Sequence, residues 1–323
     1  MKIKRVWGVL LLTVGLASCT IQVGPPPETT PPQVRATASP TTGEDSANEP
    51  DEPAVDVEAT EIVTENKLPI FDTHVHYNQE AWDLFSPGDV INKLEGANVP
   101  RALVSSSPDD GTRQLHELDP DRIVPFLRPY HGQVNSGNWF EDDTVLSYFE
   151  SRLERPIYQG IGEVHLHFEG DANSPIVRET ARLAVERGLY LHLHSNARAV
   201  EAIFDDEPDV KILWAHAGLS EPPAVISDIM DKYEHLWADI SIREYQIAPD
   251  GKLDPTWEAL FLKHPDRFTI GSDTWVPSRW ARYGEIIEFD RGWLNGLPPD
   301  VARQIAYGNA VRLFGAGPEQ HLE

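Results

Sequence analysis

The feature that most constrains the fold is a rhythm in hydrophobicity between Lys67 and Gly315. Short apolar segments alternate there with longer amphipathic stretches. The eight candidate strands are Leu68–His74, Ala102–Ser106, Ile123–Arg128, Gln159–Leu166, Leu189–His194, Val210–Ala215, Leu236–Ser241 and Phe268–Gly271. The stretches between them include Ile176–Arg187, Glu221–Tyr233 and Pro255–His264. Strands that alternate with helices in this way form parallel sheets with right-handed crossovers.

Eight such units in about 250 residues predict an α/β fold, specifically a single-domain (β/α)₈ TIM barrel over residues 67–318. The alternative is an open, doubly wound sheet. No glycine-rich phosphate loop follows the first candidate strand, which favours the closed barrel.

The first 19 residues have the pattern of an export signal. A basic start, Met1–Arg5, precedes an apolar run, Val6–Leu16, that is too short for a comfortable membrane span. The following Leu-Ala-Ser-Cys at 16–19 resembles a bacterial lipobox, which implies cleavage before Cys19 and lipidation of its thiol. We therefore expect residues 1–18 to be a signal peptide, and the mature protein to be exported and lipid-anchored to a bacterial membrane, in the outer membrane and periplasm or at the cell surface. The alternative is an ordinary secretory signal with a chance cysteine.

Residues 19–66 have the composition of a linker. They are rich in proline, threonine and acidic residues and poor in large apolar side chains, so they cannot bury enough surface to offset their ordering entropy. We expect a disordered tether, with a partner-binding segment as the alternative. Cys19 is the only cysteine of the chain, so the fold must stand without an internal disulfide.

The charge balance narrows the class of partner. The formal net charge is -25, and a surface this acidic repels phosphate backbones. We expect a small-molecule substrate and no nucleic-acid partner. We expect contact with the membrane through the lipid anchor alone. An oligomer is possible.

Candidate metal ligands fall at the carboxyl ends of the predicted strands, the face on which barrels carry their active sites. His74 and His76 end the first strand and share one face, with Asp72 expected below them. His194 ends strand five, and His216 follows strand six. Two or more imidazoles on one face can bind a borderline metal ion at about 2.1 Å.

A carboxylate and a buried core histidine complete this pattern. Asp273 follows strand eight and could ligate metal or accept a proton from water. His192 lies one layer deeper than His194, and we interpret it as a hydrogen-bonded core residue.

Strand four carries Glu163, His165 and His167 on one face. An unpaired buried Glu163 would cost several kcal/mol, so we expect it to be paired or bound to metal. Two roles remain open for it, a ligand that bridges two ions or a carboxylate that orients a histidine.

These motifs together resemble the amidohydrolase superfamily in order and position. Ala215–Gly218, Gly271–Asp273 and the closing Tyr307–Phe314 segment are similar to its amidohydrolase-related branch, which includes metal-dependent decarboxylases and a lactonase. Ile161-Gly162-Glu163 also resembles the fourth-strand motif of TatD-like nucleases, in which the glutamate binds metal. The sequence has no apparent lysine on strand four to carbamylate, which argues against a carbamate-bridged metal pair.

The resemblance implies a metal-dependent hydrolase that uses an activated water on an ester, lactone or amide bond of a small molecule. The implied cofactor is a divalent metal, zinc first and manganese as an alternative, with one or two ions. The implied ligands are His74, His76, Glu163, His194, His216 and Asp273. In the catalytic step, Asp273 would take the proton of the water, and His216 could donate to the developing oxyanion.

Substrate contacts are expected from the loops that follow the strands. The candidates are Arg128, Tyr130, His165, His167, Arg243, Tyr245, Trp275 and Arg279. Arginines at a rim could hold a carboxylate bidentately, which suggests a small acidic or lactone substrate, although each could instead form a salt bridge at the rim. Two other functions compete with hydrolysis: non-oxidative decarboxylation at the same metal site, and a tethered ligand-binding lipoprotein without catalysis.

Overall fold

A computed structural model describes residues 67–317 of the chain. Cys19, the predicted signal peptide and the whole of the predicted linker, residues 19–66, lie outside these residues. Among the described residues, no helix is both long and apolar enough to cross a membrane.

Eight parallel strands form one sheet in sequence order, β1 to β8, as the alternation predicts. The strands are β1 (Phe71–Val75), β2 (Arg101–Val104), β3 (Ile123–Leu127), β4 (Gly160–His165), β5 (Tyr190–His194), β6 (Lys211–Trp214), β7 (Leu236–Asp239) and β8 (Phe268–Thr269). A bridge between Asp72 and Ile270 joins β1 to the end of β8, and the amide of Thr73 donates to the carbonyl of Ile270 at 2.8 Å. These contacts close the sheet, so the predicted (β/α)₈ barrel is confirmed.

The helices lie between the strands and after the last one. They are α1 (Gln79–Trp82), α2 (Pro87–Gly96), α3 (Asp110–Leu118), α4 (Thr144–Arg152), α5 (Pro175–Arg187), α6 (Ala197–Asp206), α7 (Pro223–Lys232), α8 (Glu244–Ile247), α9 (Pro255–Lys263), α10 (Pro277–Ala281), α11 (Tyr283–Leu294), α12 (Pro299–Arg303) and α13 (Asn309–Phe314). The predicted amphipathic segments correspond to α5, α7 and α9. Each of these three begins with proline, which suits the first helical turn because its missing N–H has no partner there.

The closing segment of the barrel seals the face opposite the strand ends. Phe314 of α13 packs against Phe71, Phe126 and Tyr190, with ring centroids 6.1, 5.7 and 4.9 Å away. The side chain of Asn309 donates to the carbonyl of Phe268 at 2.8 Å. The Tyr307–Phe314 motif therefore both plugs the barrel and anchors its shortest strand.

All eight strands differ from their predicted bounds by one to three residues at one or both ends, and two of the differences have a clear physical cause. β1 begins at Phe71 rather than Leu68, because the carbonyl of Leu68 accepts from the Arg291 guanidinium instead of joining the sheet. β8 ends at Thr269, two residues early, because Gly271 must pass closely over β1. A Cβ at position 271 would lie only 2.7 Å from the Cβ of His74, so only glycine lets the two segments approach.

Candidate metal centre

Two imidazoles at the end of β1 face each other across a short gap. The Nε2 atoms of His74 and His76 are 3.1 Å apart, and both rings are fully buried. The Nδ1 atom of His74 lies 3.1 Å from a carboxylate oxygen of Asp239, and that of His76 contacts the carbonyl of Ser105. Both oxygens can only accept, so each Nδ1 carries a proton, and each Nε2 faces the centre, where it can bind a metal ion that displaces any proton it holds.

Two ring nitrogens at this distance need a positive charge between them, either a proton or a metal ion. An oxygen of Asp273, Oδ1, lies 3.6 Å from the Nε2 of His74 and 3.3 Å from that of His76. This oxygen is buried and accepts no hydrogen bond. Ligands around a tetrahedral ion at about 2.1 Å stand about 3.4 Å apart, so the spacing of these three atoms fits a metal ion.

A second group of donors lies beside the first and includes Glu163. Its Oε1 is 3.0 Å from the Nδ1 of His194 and 3.4 Å from the Nε2 of His216. Its Oε2 is 3.2 Å from the Nε2 of His76. Glu163 therefore stands between the two donor groups, and the structure brings all six predicted ligands together.

The electrostatics of the centre favour bound positive charge. Burial would raise the pKa of Glu163, but the nearby histidines His165 and His74 hold it well below its usual range. Burial would lower the pKa of His74, but the carboxylates of Asp239, Asp273 and Glu163 raise it well above its usual value. The lowered pKa of Glu163 thus comes from the histidines around it, and the raised pKa of His74 from the carboxylates around it.

Asp273 remains ionised in this surrounding. Burial opposes its charge, but the neighbouring His74 and His76 hold its pKa at about 2. Its carboxylate is therefore free to accept a proton at neutral pH.

Asp239 at the end of β7 contacts the histidines of the centre from below. No sequence pattern described above points to this residue. It is fully buried, and its Oδ2 accepts from the Nδ1 of His74 at 3.1 Å and from the Nε2 of His192 at 3.0 Å. His192 is therefore a buried, hydrogen-bonded core residue, as the sequence predicts. The available signal was an acidic residue inside the apolar strand Leu-Trp-Ala-Asp.

Asp72 does not lie below the histidine pair, so that expectation was wrong. It accepts instead from the Ser272 amide and the Tyr283 hydroxyl, both at 2.9 Å. The pairing of β1 with β2 shifts register between Asp72 and Val75. An irregularity of this kind breaks the strict alternation of side chains on which the expectation depended.

We predict that Asp239→Asn weakens zinc binding by about 10- to 100-fold, because the amide no longer fixes the proton on Nδ1 of His74. The affinity would be measured by competition with a zinc chelator. Asp109→Asn, at a fully buried aspartate that accepts from the Tyr158 hydroxyl at 2.6 Å, is the matched control and should leave the affinity unchanged. Equal effects of the two substitutions would show that Asp239 has no special relation to the metal.

The loops that carry the site have unusual backbone conformations. His216 (φ 56°), Ile242 (φ 59°) and Asp273 (φ 46°) follow β6, β7 and β8 in the left-handed region. Such conformations cost about 1–3 kcal/mol each and persist only when the surroundings impose them. Arg243 is one such restraint, because its guanidinium donates to the carbonyls of His216 and Glu221 at 3.3 and 2.7 Å.

Five of the predicted substrate-binding residues line a cavity of about 1030 Å³ above the centre. These are Arg128, Tyr130, His165, His167 and Trp275. Glu163, His194, His216 and Asp273 also line this cavity. Four of the six predicted metal ligands are thus open to a small molecule.

Contacts among the lining residues fix their positions. The Tyr130 hydroxyl lies 2.7 Å from the Nδ1 of His165 and accepts from the His165 amide at 3.1 Å. Arg128 stacks over the Tyr130 ring and donates to Glu163 Oε2 at 3.1 Å. The Nε2 atom of His167 lies 3.2 Å from the carbonyl oxygen of Ser136.

The remaining three predicted contacts are placed elsewhere. Arg243 is buried behind the His216 loop, where it also stacks on Trp257. Tyr245 and Arg279 line a neighbouring cleft. The structure therefore does not bring these three side chains into the main cavity.

Comparisons with known proteins agree with this barrel. Residues 71–316 match the model of a family described as amidohydrolase. Among solved structures, an amidohydrolase from Burkholderia multivorans with bound zinc is 13% identical, with a TM-score of 0.53, over 77% of this chain and 100% of that one. A putative 2-pyrone-4,6-dicarboxylic acid hydrolase from Pseudomonas putida is 16% identical, with a TM-score of 0.53, over 77% of this chain and 98% of that one. A search of curated proteins found no match. At these identities the solved structures support the fold.

Proposed function

The chain belongs to the amidohydrolase family, and from that premise we propose that it is a metal-dependent hydrolase of an ester, lactone or amide bond in a small molecule. The observation that carries the proposal is the pair of opposed Nε2 atoms of His74 and His76, 3.1 Å apart beside an unpartnered Asp273 oxygen. Proteins of similar fold include one that binds zinc and one described as a putative pyrone hydrolase. The pyrone is a lactone, so the second of these proteins favours a lactone among the candidate substrates.

We propose zinc as the metal, with manganese as the alternative. His74, His76 and Asp273 would hold the first ion, and His194 and His216 a second, with Glu163 between them. The position of Glu163, with one oxygen toward each group, supports the bridging role. The alternative is a single ion at the same group of residues, with Glu163 as a carboxylate that orients a histidine and does not bridge two ions.

The residues of the chain can perform the proton transfers that hydrolysis requires. A divalent ion at this centre supplies Lewis acidity and makes a nearby water more acidic. Asp273, ionised and buried, would accept the proton of the attacking water and pass it to the leaving group. His216, held through Nδ1 by the carbonyl of Ser241 at 3.1 Å, would bind metal or steady the developing oxyanion.

Turnover of a panel of esters, lactones and amides by zinc- or manganese-loaded protein tests this proposal. We expect hydrolysis of at least one bond class, monitored by acid release at constant pH for esters and lactones and by amine release for amides. Release of carbon dioxide from unsaturated or aromatic acids, without hydrolysis, would support the decarboxylase instead. Tight metal binding without any turnover would support the non-catalytic ligand-binding lipoprotein.

We also propose that the protein is an exported lipoprotein anchored through Cys19, with residues 19–66 as its tether. The lipobox-like sequence before Cys19 supports this, since acyl chains each contribute about 0.8 kcal/mol per buried CH₂ to membrane binding.

We predict that Cys19→Ser moves the protein from the membrane to the soluble fraction, because no thiol remains to be acylated. Detergent phase partitioning and intact mass would show this. Wild-type protein analysed in parallel is the control. A Cys19→Ser variant that stays in the membrane and differs from the wild type only by the mass of the substitution would contradict the anchor.

A further inference from the structure

Apart from the metal ions proposed at its floor, the cavity above the metal centre has little positive charge to offer an anionic group of the substrate. Among the described residues that line it, Arg128 is the only arginine or lysine. Arg128 is 6% exposed, and its guanidinium is paired with Glu163 at 3.1 Å. A substrate carboxylate would therefore compete with a buried carboxylate for the same partner, which costs free energy.

The two other arginines expected to hold a carboxylate are engaged elsewhere. Arg243 gives its guanidinium to backbone carbonyls of the His216 loop. Arg279 donates to the carbonyl of Ser272 and to the carboxylate of Glu244, both at 3.0 Å. In neither guanidinium are two adjacent nitrogens both without a partner, as bidentate recognition of an anion requires.

A second cleft of about 540 Å³ adjoins the cavity. Ile242 and Trp275 line both spaces, so the two are contiguous. Charged side chains that line the cleft form matched pairs, Arg279 with Glu244 at 3.0 Å and Arg282 with Glu285 at 2.7 Å. The cleft is consequently close to neutral.

The rest of the cleft lining is largely apolar or aromatic. Val276, Ile286 and Phe289 line it, together with Tyr245. Trp275 is 54% exposed and Tyr245 is 87% exposed. Large apolar side chains that stay exposed together at the mouth of a site are typical of ligand contact.

We propose that the substrate carries an uncharged apolar or aromatic substituent that lies in this cleft, between Trp275 and Phe289. The inference rests on the proposed hydrolytic function and names the class of its substrate. The scissile bond lies over Asp273 and His216, and the substituent extends past Ile242 and Trp275. Residues 67–323 carry a net charge of -19, which further disfavours the approach of anions.

Three aryl acetates test the proposal on metal-loaded, full-length mature protein: phenyl, 4-tert-butylphenyl and 4-carboxyphenyl acetate. Lactones and anilides with the same three ring substituents are assayed in parallel, so that the bond class does not decide the result. We expect kcat/KM to be about tenfold or more higher for the tert-butyl compound than for the carboxylate, a typical discrimination by an apolar pocket.

Two variants locate the preference in the cleft. Phe289→Ala should reduce the ratio of kcat/KM between the tert-butyl and phenyl compounds toward one. Ser278→Trp, which fills the cleft from an exposed position without removing any packing, should do the same if Phe289→Ala does not fold. Leu118→Ala, an exposed leucine on α3, is the matched control and should leave the ratio unchanged.

The outcomes separate this inference from the function on which it rests. A preference for the 4-carboxyphenyl compound, or a ratio that both cleft variants leave unchanged, would overturn the inference while the hydrolase remains. No turnover of any compound by metal-loaded protein would overturn the proposed function and this inference with it.

Discussion

Asp273→Asn is expected to lower kcat by a factor of about 10²–10⁴, the usual contribution of a positioned general base. The carboxylate is buried with a pKa of about 2, so in the native protein it is ionised and can accept a proton. The amide that replaces it has a similar shape and no basic oxygen. Steady-state kinetics on a substrate found in the panel would measure the loss.

Two controls give this result its meaning. Asp83→Asn changes an exposed aspartate after α1 and should leave kcat unchanged. Metal content of Asp273→Asn would be measured in parallel, because Asp273 is also a proposed ligand. Wild-type turnover by a folded Asp273→Asn variant would contradict the assignment.

Removal of metal by a chelator is expected to abolish turnover and to lower the thermal midpoint by several degrees. Buried carboxylates and opposed histidine lone pairs lose their compensating charge when the ion leaves. A ligand at 100 times its Kd stabilises the folded state by about 2.7 kcal/mol, and each kcal/mol shifts Tm by about 2–4 °C in a domain of this size.

Readdition separates a lost cofactor from a damaged fold. Zinc or manganese should restore both turnover and Tm, whereas magnesium, which prefers oxygen ligands, should restore neither. Unchanged activity after complete removal of divalent ions would show that the side chains of the centre catalyse the reaction without a metal.

Much of the fold follows from local sequence patterns. The alternation of apolar segments with amphipathic helices is set by residues that are near in sequence, so it predicts eight strands and their order. His192 and His194 show the same logic, because the two-residue period of β5 places both on one face and at successive depths. Their strand positions also explain why all six predicted ligands converge.

What the sequence could not predict depends on distant partners. Asp239 supports a histidine 165 positions away, and no local pattern links the two. Asp72 is displaced by an irregularity in β1 that its sequence does not announce. Arg243 and Arg279 looked available for a substrate, but their partners are carbonyls that only the folded loops bring into reach.

The central claim is that the ends of β1, β4, β5, β6 and β8 form one metal centre. The most direct test is the metal content per chain of protein purified without chelator, measured for wild type, for a His74→Ala/His76→Ala double variant and for Glu163→Gln. We predict one or two equivalents of zinc or manganese in the wild type and loss of the ion in the double variant. If Glu163 bridges two ions, Glu163→Gln should retain fewer equivalents than the wild type. Wild-type protein that turns over substrate while holding no divalent metal would contradict the account.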